Sequence, residues 1–126
     1  MGALILDASV LIGLLDTADA HHQQAVDDVD AADRAGEALL VPASAYSEAL
    51  VAFARAGRLP GAREAIAGMG ITIVALDLEI AERAAELRAE HGRLRLPDAM
   101  VLATARERAA ALLTYDDTLA RIARAN

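Results

Sequence analysis

The chain is 126 residues long, 56% hydrophobic and 25% charged, with a formal net charge of −7, no cysteine and 12 basic residues that are all arginine. One domain over residues 1–126 is expected, able to bury about two-thirds of its unfolded surface, with no disulfide or thiolate metal site to staple it. Aromatic residues at 2% argue against base stacking as the main mode of nucleic-acid binding, and the acidity argues against simple adhesion to nucleic acid while favouring a basic partner.

Residues 3–6, "ALIL", form a short apolar run that ends on Asp7, and a second apolar run begins three residues later. Residues 20–35 read as a polar helix with Ala25, Val26, Val29 and Ala32 on one side. "ALLV" at 38–41 is the next strand-length run, followed by a helix over 43–56 closed by Gly57. "RLPGAREAIAGMG" reads as a short peripheral helix between Pro and Gly, "ITIVA" at 71–75 as another strand, and 77–91 as a helix that starts on an Asp cap and ends at Gly92. Pro97 opens a helix through "PDAMVLATARERA", "AALL" at 110–113 is the last short run, and a final helix follows Asp117. Apolar runs alternating with helical stretches predict an α/β domain with a mostly parallel sheet of about four short strands.

No apolar run reaches the ~18 residues of a membrane span, and "MGALILD" lacks the charged lead of a signal peptide, so a cytoplasmic protein with no membrane association is expected. There is no G-x-x-x-x-G-K-[ST], G-x-G-x-x-G or G-x-S-x-G, which removes support for ATPase, dinucleotide and serine-hydrolase functions.

The acids hold the chemistry. In an open α/β sheet, ligands bind beyond the carboxyl ends of the strands. Asp7 ends the first run, and Asp116 with Asp117 follows the last; each also suits the cap of the next helix, and of the pair one can face the site while the other caps. Glu48 lies among Ala45, Tyr46, Ala49 and Leu50, and Asp98 sits in the first turn after Pro97, ahead of the apolar stretch Ala99 to Leu102. Carboxylates gathered at one spot repel unless a cation neutralises them, and oxygen donors without cysteine select Mg²⁺ or Mn²⁺. Asp77 reads as an N-cap, and Asp27, Asp28, Asp30 and Asp33 as a solvated helix face. His21 and His22, adjacent on a helix, point about 100° apart and do not chelate one ion.

"LILDASVLIGLLD", "PASAYSEAL", "LRLPDAMVLATA" and "LLTYDD" together resemble, in order and spacing over nearly the whole chain, the acidic motifs of PIN-domain ribonucleases, particularly the VapC toxins of bacterial toxin–antitoxin pairs. The resemblance implies a PIN-like parallel sheet wrapped by helices, with the four acids at Asp7, Glu48, Asp98 and Asp116. Ser9 and Thr114 match the small hydroxyl residues that support such a site. It implies Mg²⁺, with Mn²⁺ as substitute, held by Asp7, Asp98 and Asp116, with Glu48 orienting or deprotonating water. RNA is the implied substrate, a VapB-like antitoxin the partner and a homodimer the assembly. Arg93 and Arg95 stand where they can hold flanking RNA phosphates, or they are plain solvated arginines. The family usually adds a turn and a final edge strand after the last helix, whereas this chain ends at "RIARAN": either the sheet has four strands or the chain has been shortened.

Three other readings have distinct signatures. A PIN nuclease or RNA-processing protein without an antitoxin would share the same acids. A non-catalytic PIN interaction module would be expected to lack one of them. A phosphatase of the HAD type needs a second Asp two residues after the first, where this chain has Ser9.

Overall fold

A computed structural model describes residues 2–125; Met1 and Asn126, the two ends of the expected domain, lie outside the described residues. Strands β1 (Ala3–Leu6), β2 (Ala38–Pro42), β3 (Thr72–Val74) and β4 (Ala111–Leu113) form one sheet in the order β3-β2-β1-β4. All three pairings are parallel, with Ile5 opposite Leu40 on one side and Leu112 on the other. The connections carry α1 (Ala8–Leu15) and α2 (His22–Arg34), then α3 (Ala43–Arg55) and α4 (Leu59–Gly68), then α5 (Leu78–Glu90) and α6 (Leu96–Glu107), and α7 (Asp117–Arg124) follows β4. The four expected strands are present, and the described residues form seven helices around them.

The strand order explains where a site can form. The chain leaves β1 and moves outward through β2 and β3, then crosses back to lay β4 on the opposite side of β1. Connections leaving adjacent strands in opposite directions open a crevice at their carboxyl ends, here between β1 and β4. Asp7 follows β1 directly and Thr114 follows β4 directly, so the crevice is flanked by a carboxylate and a hydroxyl.

The core is aliphatic: Ile5, Leu6, Val10, Leu11, Val41, Leu94 and Leu119 are at most 1% exposed. The second apolar run is helix α1, and its Gly13 is fixed by packing, because a Cβ there would stand 3.1 Å from Ala25 Cβ on α2. Gly57 and Gly70 take positive φ angles of 69° and 73° just beyond α3 and α4, where the turn needs the left-handed region that glycine enters without penalty.

Several expected boundaries move inward by one or two residues. The first polar helix spans His22–Arg34 rather than 20–35, since Asp16 and Asp19 organise the preceding turn by accepting from Ala18 N and His21 N. Val26 is 37% exposed and does not share the buried side of α2 with Ala25, Val29 and Ala32. Helix α6 starts one residue before Pro97, at Leu96. Leu50 of α3 is buried in the chain's own core, so the apolar surface left outside this helix is narrower than the sequence suggests, with Val51 at 42% exposure.

Candidate active site at the carboxyl edge of the sheet

Among the described residues, Asp7 and Asp98 are the only buried charged side chains, at 4% and 8% exposure. Burial raises the Asp7 carboxyl above its ordinary value; bonds from Ser9, Thr114 and the Val10 amide oppose that rise, and the nearby charge of Asp98 adds to it. The two acids are therefore within electrostatic reach of one another, although one follows β1 and the other begins α6. Helix α6 makes this possible by packing across β1, β2 and β4.

Asp7 accepts three hydrogen bonds. Ser9 Oγ donates to its Oδ1 at 2.6 Å, Val10 N to the same oxygen at 3.1 Å, and Thr114 Oγ1 to its Oδ2. Both hydroxyls are in turn fixed from the β4 side: Tyr115 N donates to Ser9 Oγ at 3.0 Å, and Asp116 N donates to Thr114 Oγ1 at 3.0 Å. Capping and site formation are thus compatible uses of one carboxylate, because Asp7 closes the first turn of α1 with the same group that faces the crevice.

Asp116 caps α7 through Oδ1, which accepts from Leu119 N at 2.8 Å. The expected division of labour, one acid facing the site and the other capping, does not form in that way: the cap is Asp116, the acid assigned to the site, and Asp117 is exposed in the first turn. Asp77 caps α5 by accepting from Ile80 N at 2.8 Å, as its position suggests.

Glu48 and Asp98 are joined by one guanidinium. Arg95 Nε donates to Asp98 Oδ2 at 3.0 Å and its Nη2 donates to Asp98 Oδ1 at 3.2 Å, while Nη2 also donates to Glu48 Oε2 at 3.3 Å. The two carboxylates hold Arg95 protonated, Asp98 contributing more than Glu48. Arg95, although exposed like Arg93, is therefore held by two carboxylates rather than free in solvent.

Three of the four expected acids are thus linked, Asp7 within electrostatic reach of Asp98 and Asp98 tied to Glu48 through Arg95, while Asp116 is engaged in capping α7. Among the described residues, no three Asp, Glu or His side chains stand in positions that would together hold an ion. The chemistry of the donors nonetheless fits a hard divalent cation, being oxygen only, with two carboxylates buried where a counter-charge offsets their desolvation.

A neighbouring cluster escaped the sequence reading. Tyr115 Oη donates to Asp28 Oδ2 at 2.8 Å, and the His21 ring stacks on Tyr115 with centroids 4.7 Å apart at 18°. Asp28 is consequently half-buried rather than on a solvated face. His22 turns away and its Nδ1 donates to Gly13 O at 2.7 Å, so the two histidines do separate things. The spacing of Tyr115 beside "TYDD" was the available signal for this cluster, but its partners lie 87 and 94 residues earlier in the chain.

Comparison with known proteins identifies the fold that carries these residues. The PIN domain family model matches residues 4–125. No curated protein sequence matches the chain. A toxin–antitoxin complex from Klebsiella pneumoniae contains a chain 26% identical to this one, with a TM-score of 0.71 over 90% of this chain and 87% of that one. Mycobacterium tuberculosis VapC20, a toxin that cleaves the sarcin–ricin loop, is 16% identical with a TM-score of 0.76 over 95% of each chain. Rickettsia felis VapBC2, solved with a DNA fragment from its promoter, is 11% identical with a TM-score of 0.76 over 95% of this chain and 92% of that one. The last two likenesses are of fold.

Proposed function

The chain belongs to the PIN domain family, and from that premise we propose that it is a single-domain Mg²⁺-dependent ribonuclease and the toxin of a VapBC-type pair. The observation that carries this reading is the burial of Asp7 and Asp98, and of no other charged side chain among the described residues, at the crevice between β1 and β4. A buried acid pair is costly for a fold that has no use for it.

A divalent ion, when bound, polarises the scissile phosphate and stabilises the leaving oxygen. Asp7 and Asp98 would hold it, and Asp116, whose second carboxylate oxygen is not used in capping, would have to turn toward them to join. Ser9 and Thr114 fix the rotamer of Asp7, so that its remaining lone pairs face the crevice. Glu48 accepts a proton from the attacking water. Arg93 and Arg95 draw the flanking phosphates to the same rim. Hydrolysis by water leaves a 5′-phosphate and a 3′-hydroxyl without using the RNA 2′-hydroxyl.

A basic antitoxin suits the net charge of −7. A groove of about 480 Å³ between α1 and α3, lined by Ile12, Leu15, Phe53, Arg55 and Arg58, includes Glu48 and gives such a partner a mixed polar and apolar path to that acid. The exposed part of α3 around Val51 also suits a homodimer contact. No helix among the described residues is long and apolar enough to cross a membrane, and a cytoplasmic location follows from the proposed RNA substrate.

The test is cleavage of mixed cellular RNA by wild type and Asp7→Asn, with Mg²⁺ and with EDTA. Magnesium-dependent cleavage by wild type alone, with 5′-phosphate ends, supports the reading. Cleavage that survives in EDTA and leaves 2′,3′-cyclic phosphates refutes it. Cleavage without any co-encoded inhibitor that binds the protein would favour a PIN nuclease outside the toxin–antitoxin class.

A further inference from the structure

Arg95 is the one basic side chain among the described residues that pairs with two of the proposed site acids, and its position bears on how the site is filled. The residue is the N-cap of α6, three positions before Asp98, so the helix start aims its side chain back over the first turn. The fork meets both oxygens of Asp98 and then reaches Glu48 on α3, 47 residues away in sequence. Fork geometry of this kind is selective for carboxylate and stronger than a single contact. Asp98 is 8% exposed, so its charge must be balanced by something whenever no other cation is present.

The same two oxygens of Asp98 are the ones a divalent ion would need. A guanidinium forked across both of them competes with an ion for that edge of the carboxylate, since each brings positive charge to the same pair of oxygens. Building on the function proposed above, we propose that Arg95 is a resident counter-ion of the metal-free site: it holds Asp98 and Glu48 until a divalent cation displaces it, and its release is coupled to metal binding. Arg95 is then a positioning residue with two settings. In the first it keeps the buried acid compensated and the protein stable without metal. In the second its guanidinium leaves Asp98 and is free for a phosphate at the rim.

The coupling sets a direction for affinity. A site whose competent state is open for only a fraction of the time binds more weakly by that fraction, so removing the competitor tightens binding. Arg95→Gln should bind Mn²⁺ and Mg²⁺ more tightly than wild type by roughly tenfold, the factor that applies if the closed setting is held about nine-tenths of the time. Arg95→Lys, which keeps the charge but loses the fork, should fall between them. Arg88→Gln, an equal change in net charge on the exposed end of α5, should leave affinity near wild type.

Isothermal titration with Mn²⁺ and Mg²⁺ alone, without RNA, reads these affinities. A second measurement needs no variant: the Nε–H resonance of Arg95 in the wild-type protein should move to the position of an exposed arginine as Mg²⁺ saturates the site. Equal or weaker ion binding by Arg95→Gln, or an Arg95 resonance that ignores saturating Mg²⁺, overturns the inference while leaving the nuclease reading intact. Failure of every protein to bind either ion overturns both. If Arg95→Gln does not fold without metal but folds in millimolar Mg²⁺, the counter-ion role is supported, because the ion has taken over the charge that Arg95 supplied.

Discussion

Ser9 Oγ stands 2.6 Å from Asp7 Oδ1 and at the same time accepts a hydrogen bond from Tyr115 N, so the serine ties the acid after β1 to the backbone after β4. This tie opposes the effect of burial on Asp7, which otherwise drives its carboxyl upward. Ser9→Ala and Thr114→Val each remove one such donor, and each should raise the Asp7 carboxyl further. The acid limb of the activity profile should move to higher pH in both variants, and each should cost about 1 kcal/mol of stability by denaturant titration.

Asp7→Asn should separate function from stability. The buried charge disappears while Oδ1 still accepts from Ser9 and Val10, so the metal-free fold should gain about 1 kcal/mol, seen as a rise of a few degrees in Tm. Cleavage should fall by at least about a hundredfold, as expected on losing a directly acting charged group. Mg²⁺ should stabilise wild type and leave the variant's Tm unchanged.

The pH dependence follows from the sign of the Asp7 shift. A carboxyl raised in the folded state binds its proton more tightly there than in the unfolded chain, where it takes its ordinary value near 4. Its contribution to stability is fully present below that ordinary value and is lost as pH rises through the elevated one. Without metal, wild-type stability should therefore decline across this window relative to Asp7→Asn, and added Mg²⁺ should reverse the decline. Activity should rise over the same window, because ion binding needs the deprotonated acid.

Tyr115 provides an independent check at the alkaline end. Burial first, and then its bond to Asp28, pushes the phenol well above its ordinary value, with the charge of Asp7 adding to the effect. The stabilising contribution is complete below about pH 10, the value for an unfolded tyrosine, and is lost at higher pH. Ultraviolet titration should show a phenol ionising far above pH 10 that is missing in Tyr115→Phe. That variant should lose about 1 kcal/mol, since Asp28 gives up its donor.

Some of this site can be read in the sequence, and the rest cannot, for a physical reason. Asp7 announces itself because an acid terminating an apolar run must be compensated, and the strand it ends is the centre of the sheet in the direction that matters, flanked by β2 and β4. Asp98 is legible for a related reason: the apolar residues that follow it mark a buried helix start. Glu48 has no such local signature, and only the resemblance singles it out. Arg95 shows its reach to Asp98 by a spacing of three, yet its contact with Glu48 depends on how α3 packs against α6, which no local pattern encodes. Asp28 misleads for the opposite reason, since a run of acids along α2 looks uniformly solvated until Tyr115 arrives from the other end of the chain.

The pairing of β1 with β4 also sets a schedule. Asp7 leaves the ribosome 107 residues before Thr114, its partner across the crevice. Until β4 has been translated and has docked along β1, the first acid has neither its second hydroxyl nor the strand that forms one side of the crevice. A nascent chain thus carries nearly every group of the site without the site itself. Under the proposed function, in which the finished form cuts RNA, the strand order acts as a delay, withholding the hazard from the ribosome and messenger that are still producing it.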